Sequence, residues 1–302
     1  MRNCSRGRFA LVAQLSWFDE LTTDQAAEVA QLLTAAEATD GVAPVGEAVR
    51  LRMRPGATGS RHLLASVDGE LAGYAHLDVL GDSGGHQVAE LAVHPKHRHR
   101  GVGAELVSAL PAENLRIWAH GGHPDADKLA QELGFGKVRE LLRMRLRVQD
   151  DLPEPKLPQG VTIRRFVPGK DEAAVVYVNH RAFDWHPEQG AMSIEDVRAK
   201  EEEPWFDPAG FLLAFDADDR LAGFHWTKVH TPELGEVYVV GVDPDRQGGG
   251  LGKALTLAGL QHLREQGVEQ VMLYVEADNA PAVRVYTALG FTLWDADVQY
   301  GR

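Results

Sequence analysis

The chain has 302 residues, 44% of them hydrophobic, and a formal net charge of −13. That length suits two domains of about 150 residues. The charge argues against a nucleic acid or an anionic membrane as partner, and no apolar run reaches the roughly 18 residues of a membrane span. The single cysteine, Cys4, excludes an internal disulfide framework and a cysteine zinc site, so no metal is expected and a cytoplasmic setting is the default.

Residues 1–16 read as a tail ahead of Trp17, with an apolar part too short and too polar-flanked for a signal peptide. After it the apolar periods predict a helix over 24–38, strands over 61–67, 71–79 and 88–93, and a helix over 101–110. A strand over 115–119, a helix over 125–133 and a strand over 138–147 complete the first half. Residues 150–160, with three prolines and several charges, read as a stiff extended linker. Beyond it come a strand over 161–166, helices over 171–183 and 194–202, and a hairpin of 211–215 and 221–228 about the turn 216–219. A strand at 237–242, a helix at 250–266, a strand at 271–275, a helix at 281–289 and a last strand at 291–299 follow. The pattern is α/β with a mixed sheet in each half: an N-terminal domain over 17–149 and a C-terminal one over 161–302.

The halves are copies. An offset of 149 aligns Val93 with Val242, Pro95 with Pro244, Gly101 with Gly250 and Gly103 with Gly252. Leu133-Gly134-Phe135 recurs as Leu289-Gly290-Phe291 at an offset of 156. In each copy a strand runs into a glycine-bearing loop and then a helix. The loop reads Arg98, His99, Arg100, Gly101, Val102, Gly103 in the first copy and Gln247, Gly248, Gly249, Gly250, Leu251, Gly252 in the second. Backbone N–H groups at a helix start converge on one point, and the helix dipole favours an anion there. Glycines let a diphosphate approach the backbone.

The hexad R/Q-x-x-G-x-G after a strand, with Leu-Gly-Phe downstream, resembles the GNAT acyltransferase superfamily. The resemblance implies tandem GNAT domains that bind acetyl-CoA by these loops and by the strands before them. The implied contacts are Val240, Gly241, Val242, the hexad, Lys253, Asn279 and Arg284 in the second copy. In the first they are Leu91, Ala92, Val93, the hexad and Ala104. The segments His-Pro-Glu-Gln-Gly at 186–190, 205–215, 223–230, 235–244 and 273–279, with 40–47 and 117–121 of the first half, resemble a tandem GNAT family. Its members acetylate the cysteinyl α-amine of cysteinyl-glucosaminyl-inositol. That implies a small-molecule amino-sugar substrate and substrate contacts at Glu47, Glu188, Lys228, Glu236 and Tyr274, with Glu47 placing substrate at the domain interface; a monomer is the expected state, although the sequence itself does not report it. Another small-molecule amine or a peptide N-terminus stands as the alternative substrate, and an acetyl-CoA-sensing scaffold as the non-enzyme reading.

Amine acetylation needs a base for the ammonium proton, a donor for the oxyanion and an acid for the departing thiolate. The resemblance assigns Glu236 as base, Tyr286 as acid and a backbone N–H near Val240 as oxyanion donor. Gln87 stands opposite Glu236 and Ala130 opposite Tyr286 in the first copy. Gln is no base and Ala has no proton to give. The N-terminal domain is therefore expected to hold acetyl-CoA without turning it over. Asn279 has a second reading as a helix cap.

Overall fold

The computed structural model describes residues 13–54, 56–82, 84–148, 152–186 and 189–302. In chain order the elements are β1 (Gln14–Phe18), α1 (Thr23–Asp40), α2 (Glu47–Arg52), β2 (Ser60–Val67), β3 (Glu70–Asp78), β4 (Gln87–Val93), α3 (Val102–Ala109), β5 (Leu115–Ala119), α4 (Pro124–Glu132) and β6 (Gly136–Arg147). Then come β7 (Thr162–Arg165), α5 (Glu172–Ala182), α6 (Ile194–Glu201), β8 (Phe211–Phe215), β9 (Leu221–Thr231), β10 (Leu234–Val242), α7 (Leu251–Glu265), β11 (Gln270–Glu276), α8 (Ala280–Ala288) and β12 (Thr292–Gly301).

The predicted elements recur within a few residues, and two were missed. Gln14–Phe18 pairs antiparallel with β2 from Gln14↔Ser66 to Phe18↔His62. The domain therefore begins inside the segment assigned to a tail, and the first twelve residues, with Cys4, lie outside the described ones. Helix α2 is a short turn of chain whose Val49 is buried; six residues are too few to show a period.

The chain divides into two compact units. One runs to Glu140 and includes Ala296–Arg302; the other is Leu141–Asp295. This differs from a boundary at the linker. In the first unit the strand order is β1-β2-β3-β4-β5-β12, and in the second β6-β11-β10-β9-β8-β7. Val298–Gly301 pair antiparallel with Ala119–Arg116, and Leu141–Arg147 pair with Glu276–Gln270. By sequence, β6 and β12 are corresponding strands of the two copies. Each closes the sheet that the other half of the chain builds.

In each unit the sheet carries helices on both faces. In the first, α1 and α2 cover Leu64, Tyr74 and Ala92, while α3 and α4 cover Leu63, Ala75 and Ala89. In the second, Trp226, Phe224, Phe211 and Phe166 form an aromatic layer with Val175 and Val178 of α5 and Val197 of α6. The opposite face packs Val237, Val271 and Leu273 on Leu260 and Leu263 of α7. Those two leucines stand at the spacing of a helical stripe, with Leu251 and Leu255 extending it along the same buried face.

Local chemistry sets the helix ends. Thr22 and Gln25 form a reciprocal capping box on α1, and Gly41 ends that helix at φ 71°. Ser193 and Asp196 repeat the box on α6. Gly259 lies in the interior of α7, where glycine ordinarily costs about 0.5–1 kcal/mol against alanine. A Cβ there would collide with the fully buried ring of His225. Gly259→Ala is therefore expected to destabilise the second unit, by roughly 1–3 kcal/mol of overpacking, read as a lower denaturant midpoint at an unchanged m-value.

Candidate active site

Strands β10 and β11 run parallel and are paired only over Leu234↔Gln270, Gly235↔Val271 and Glu236↔Met272. Beyond Glu236 the strands part. From Val237 onward β10 keeps its bonds to β9 alone, so its other edge offers unpaired N–H and C=O groups to an extended ligand. Where the strands part, the β9–β10 register shifts, passing from Val237↔Thr227 to Val239↔Trp226. Tyr238 is the extra residue. A bulge of this kind re-aims backbone and side chains locally, and it places the irregularity two residues before Val240.

Beyond the strand, Pro244–Arg246 form a 3₁₀ turn, and Gly248 and Gly250 take φ of 83° and 82°. That left-handed backbone turns successive N–H groups toward the start of α7. The first hexad residue pins the loop from inside: Gln247 Nε2 donates to the Val242 carbonyl at 3.2 Å. Leu251 is buried in the core, so only its amide faces the loop, whereas Lys253 is exposed. Gly241 has a packing reason to be glycine, since a Cβ would come within 2.6 Å of the Phe224 ring.

Glu236 is 7% exposed. Its carboxylate accepts a hydrogen bond from His230 Nε2 at 2.7 Å. Directly across β9 stands Lys228, with its Nζ 4.6 Å from the centre of the Trp205 ring and 5.5 Å from that of Tyr238, a cation–π cradle. On β11, Tyr274 faces Arg143 of β6 across the strand pair, and the same side of the sheet carries Glu276, whose Oε1 lies 3.6 Å from His186 Nε2. Arg143 is anchored by Asp295 and lies over Trp294. Glu236, Lys228 and Tyr274 are thus brought to one sheet face. The sequence reading missed His230, Glu276, His186 and Arg143 there. His230 and His186 lie inside motifs the reading used, but only the hairpin register shows which carboxylate each meets.

Tyr286 lies on α8, on the opposite face, against the cluster that holds Val237 and Val240. Its ring meets Phe291 edge to face at 5.8 Å. Burial pushes its hydroxyl up to about 12, so the phenol is neutral and proton-bearing at neutral pH. Asn279 caps α8, its side chain accepting from the Ala282 N–H at 3.2 Å, and Arg284 is exposed. Glu47 opens α2 in the first unit and is exposed. Glu188 lies outside the described residues.

The first unit repeats the scaffold. Strands β4 and β5 are paired only from Gln87↔Leu115 to Glu90↔Trp118, leaving the edge at Leu91, Ala92 and Val93. A cleft of about 460 Å³ opens there, lined by Leu91, Val93, Arg98, Gly101, Gly103 and Ala104 among others. Arg98 Nε donates to the Val93 carbonyl at 3.2 Å, the same inward pin as Gln247 on Val242, which explains why Arg and Gln both serve. Arg98 also forks onto Asp40 with two bonds of 2.7 Å, and holds that carboxyl below the usual carboxylate range against the effect of burial. His99 stands where the second copy has Gly248 and still takes φ 58°. The loop conformation is retained at a cost that glycine would avoid. Arg100 is exposed, and Val102 is buried with only its amide toward the loop.

The residues beside the parting are not repeated. The β3–β4 ladder runs from Gly73↔Val93 to Asp78↔Val88 without a register shift. Gln87 begins β4, its N–H donating to the Asn114 carbonyl, and Ala130 is a buried core residue of α4. The carboxylate that does stand where β4 and β5 part, Glu90, accepts from the Gly46 N–H at 2.6 Å and from His120 at 3.0 Å. The other nitrogen of His120 meets Asp297 at 3.1 Å. Burial works against charge on this ring, but its hydrogen bonds to Asp297 and Glu90 outweigh that and raise it to about 10. A pKa raised above its unfolded value contributes stability in full below about 6.5, and that contribution is lost as pH climbs to about 10. The gap in melting temperature between the parent protein and His120→Gln should therefore be widest at mildly acidic pH and close as the pH approaches 10.

A parted strand pair, an amide-rich loop at a helix start and a buried carboxylate beside the split define an acetyl-CoA-dependent acyltransferase of the GNAT class. Residues 179–291 match the acetyltransferase (GNAT) family, and residues 58–137 match an acetyltransferase (GNAT) domain. The chain is 63% identical over 296 residues to a mycothiol acetyltransferase of Actinosynnema mirum, covering 96% of this chain and 99% of that protein. To the mycothiol acetyltransferase of Saccharopolyspora erythraea it is 55% identical over 301 residues, covering 90% and 99%. Among solved structures, a GCN5-related N-acetyltransferase from Sphaerobacter thermophilus superposes with a TM-score of 0.74 at 25% identity, over 95% of this chain and 94% of that one. A tandem GNAT protein from the clavulanic acid biosynthesis pathway shares the fold, with a TM-score of 0.66 at 21% identity over 95% and 98%. The chain belongs to the mycothiol acetyltransferase family.

Proposed function

We propose that this enzyme transfers the acetyl group of acetyl-CoA to the cysteinyl α-amine of cysteinyl-glucosaminyl-inositol, giving mycothiol and CoA, as a monomer in the cytoplasm. The amides of Gln247–Gly252 hold the diphosphate, and the free edge of Val240, Gly241 and Val242 pairs with the pantetheine arm. Glu236 takes the ammonium proton. A backbone N–H near Val240, just past the Tyr238 bulge, stabilises the oxyanion. Tyr286 protonates the departing thiolate, its proton donation helped because desolvation raises the basicity of the thiolate in the same site. Lys228 and Tyr274 contact the sugar and inositol hydroxyls, with Glu47 and Glu188 as further substrate contacts.

The observation that carries this assignment is the difference between the copies: strand parting, bulge, carboxylate and phenol coincide in the second unit, while the first has the parting and the loop without the bulge, has Ala130 in place of the phenol, and has its carboxylate, Glu90, tied to the Gly46 N–H and His120. The first unit's cleft then binds a second acetyl-CoA without turnover, so the chain holds two sites of which one reacts. A thiol-release assay with acetyl-CoA tests the reading. Cysteinyl-glucosaminyl-inositol should be acetylated far faster than simple amines or peptide N-termini, and equal rates across that panel would overturn the substrate while leaving the class intact.

A further inference from the structure

A base that is 7% exposed has a difficulty after it has acted. The proton taken from the ammonium must leave before the next cycle, and a carboxyl shut away from solvent exchanges through whatever polar group touches it. Here that group is His230, whose Nε2 lies 2.7 Å from Glu236 Oε2. The His230 side chain keeps 30% of its surface, against 9% for that of Glu236. The imidazole thus spans from the buried oxygen toward solvent. Around it, Lys228, two residues earlier on β9, has its ammonium over Trp205 and Tyr238. Glu233 in the following turn is bonded to Thr231. Neither holds the imidazole, and Glu236 is its partner.

We propose that His230 is a positioning residue for Glu236 that also carries the base's proton out to solvent. This rests on Glu236 being the base. Glu236 accepts one proton from the substrate ammonium and becomes a carboxyl; the free amine forms the bond to the acetyl carbon and the carbon–sulfur bond breaks. Because Nε2 already bears the proton shared with Glu236, the ring first exchanges through water to its Nδ1–H tautomer, losing the Nε2 proton and gaining one at Nδ1; Nε2 then accepts the carboxyl's proton while the Nδ1 proton is released to water or buffer. One proton enters and one leaves, and the ring returns with Nε2–H on the carboxylate. Its two-nitrogen relay is what distinguishes an imidazole from a simple amide donor at this place.

The test compares His230→Gln, His230→Ala and Glu236→Gln in the full-length protein with saturating substrates. The Gln side chain keeps an N–H for Glu236 but cannot relay a proton. His230→Gln is expected to retain the KM values and to lose about 10-fold or more of kcat, less than the roughly 10²- to 10⁴-fold weight of the base itself because Glu236 is still present. His230→Ala is expected to be as slow and to speed up linearly with added imidazole, while the parent enzyme and Glu236→Gln do not respond. A His230→Gln enzyme at the parent rate, or a slow His230→Ala enzyme indifferent to imidazole, would overturn the relay. If instead Glu236→Gln runs at the parent rate, the base assignment itself falls.

Discussion

Glu236→Gln should lower kcat by about 10²- to 10⁴-fold, the usual weight of a positioned general base, and leave acetyl-CoA binding nearly unchanged. The amide keeps the shape and can still meet His230, so packing at the β10–β11 split survives. What it loses is the lone capacity to accept the ammonium proton. A free α-amine titrates near 8, so raising the pH supplies more of the unprotonated nucleophile from solution. The variant's deficit should therefore shrink as pH rises from about 7 to 9, whereas a variant that had lost only substrate binding would show a constant ratio. Steady-state rates across that range with saturating acetyl-CoA check it, and a flat deficit would remove the proton from Glu236's role.

Tyr286→Phe should cost about 10²-fold in kcat with little change in KM, because the phenol acts only when the carbon–sulfur bond breaks. Phe keeps the ring against Phe291, so stability should hardly move. The raised pKa of about 12 fixes the sign of the pH effect. The acid form is present below 12 and lost above it, so the parent enzyme should show no alkaline fall in kcat from this group below about pH 10. A fall centred near 8 or 9 that disappears in Tyr286→Phe would contradict the desolvated phenol. An unchanged turnover in the variant would return the non-enzyme scaffold reading to consideration.

Much of this was legible before any coordinates. The 149-residue offset exposed two copies, and the hexads marked the loops, because a left-handed turn into a helix favours glycine at fixed places. Asn279 before Ala-Pro-Ala was readable as a cap, and it is one. The contrast of Glu236 with Gln87 and of Tyr286 with Ala130 needed only residue chemistry. The exchange of β6 and β12 was not legible. Corresponding strands of two copies have interchangeable apolar patterns, and nothing in a period of two says which sheet edge a strand will join. The bulge at Tyr238 was hidden because a gapless offset absorbs one extra residue: β4 and β10 stay related by 149, while their β3 and β9 partners pass from 149 at Asp78 and Thr227 to 150 at His76 and Trp226. The His230–Glu236 and His186–Glu276 pairs were hidden for a related reason, since spacing along the chain does not report which side chains share a face after a hairpin or a long loop. Gly259, which looks like a helix defect in sequence, becomes intelligible only with the His225 ring against it.

On the proposed mechanism the second unit alone aims a thioester between Glu236 and Tyr286. Its most direct test is a crystal structure of the protein with acetyl-CoA. Diphosphate oxygens are expected on the amides of Gln247–Gly252, the acetyl carbonyl at an N–H of the Tyr238–Val240 stretch, and the sulfur within hydrogen-bonding distance of the Tyr286 hydroxyl. Acetyl-CoA seated only in the cleft beside Arg98, or a sulfur turned away from Tyr286, would contradict it.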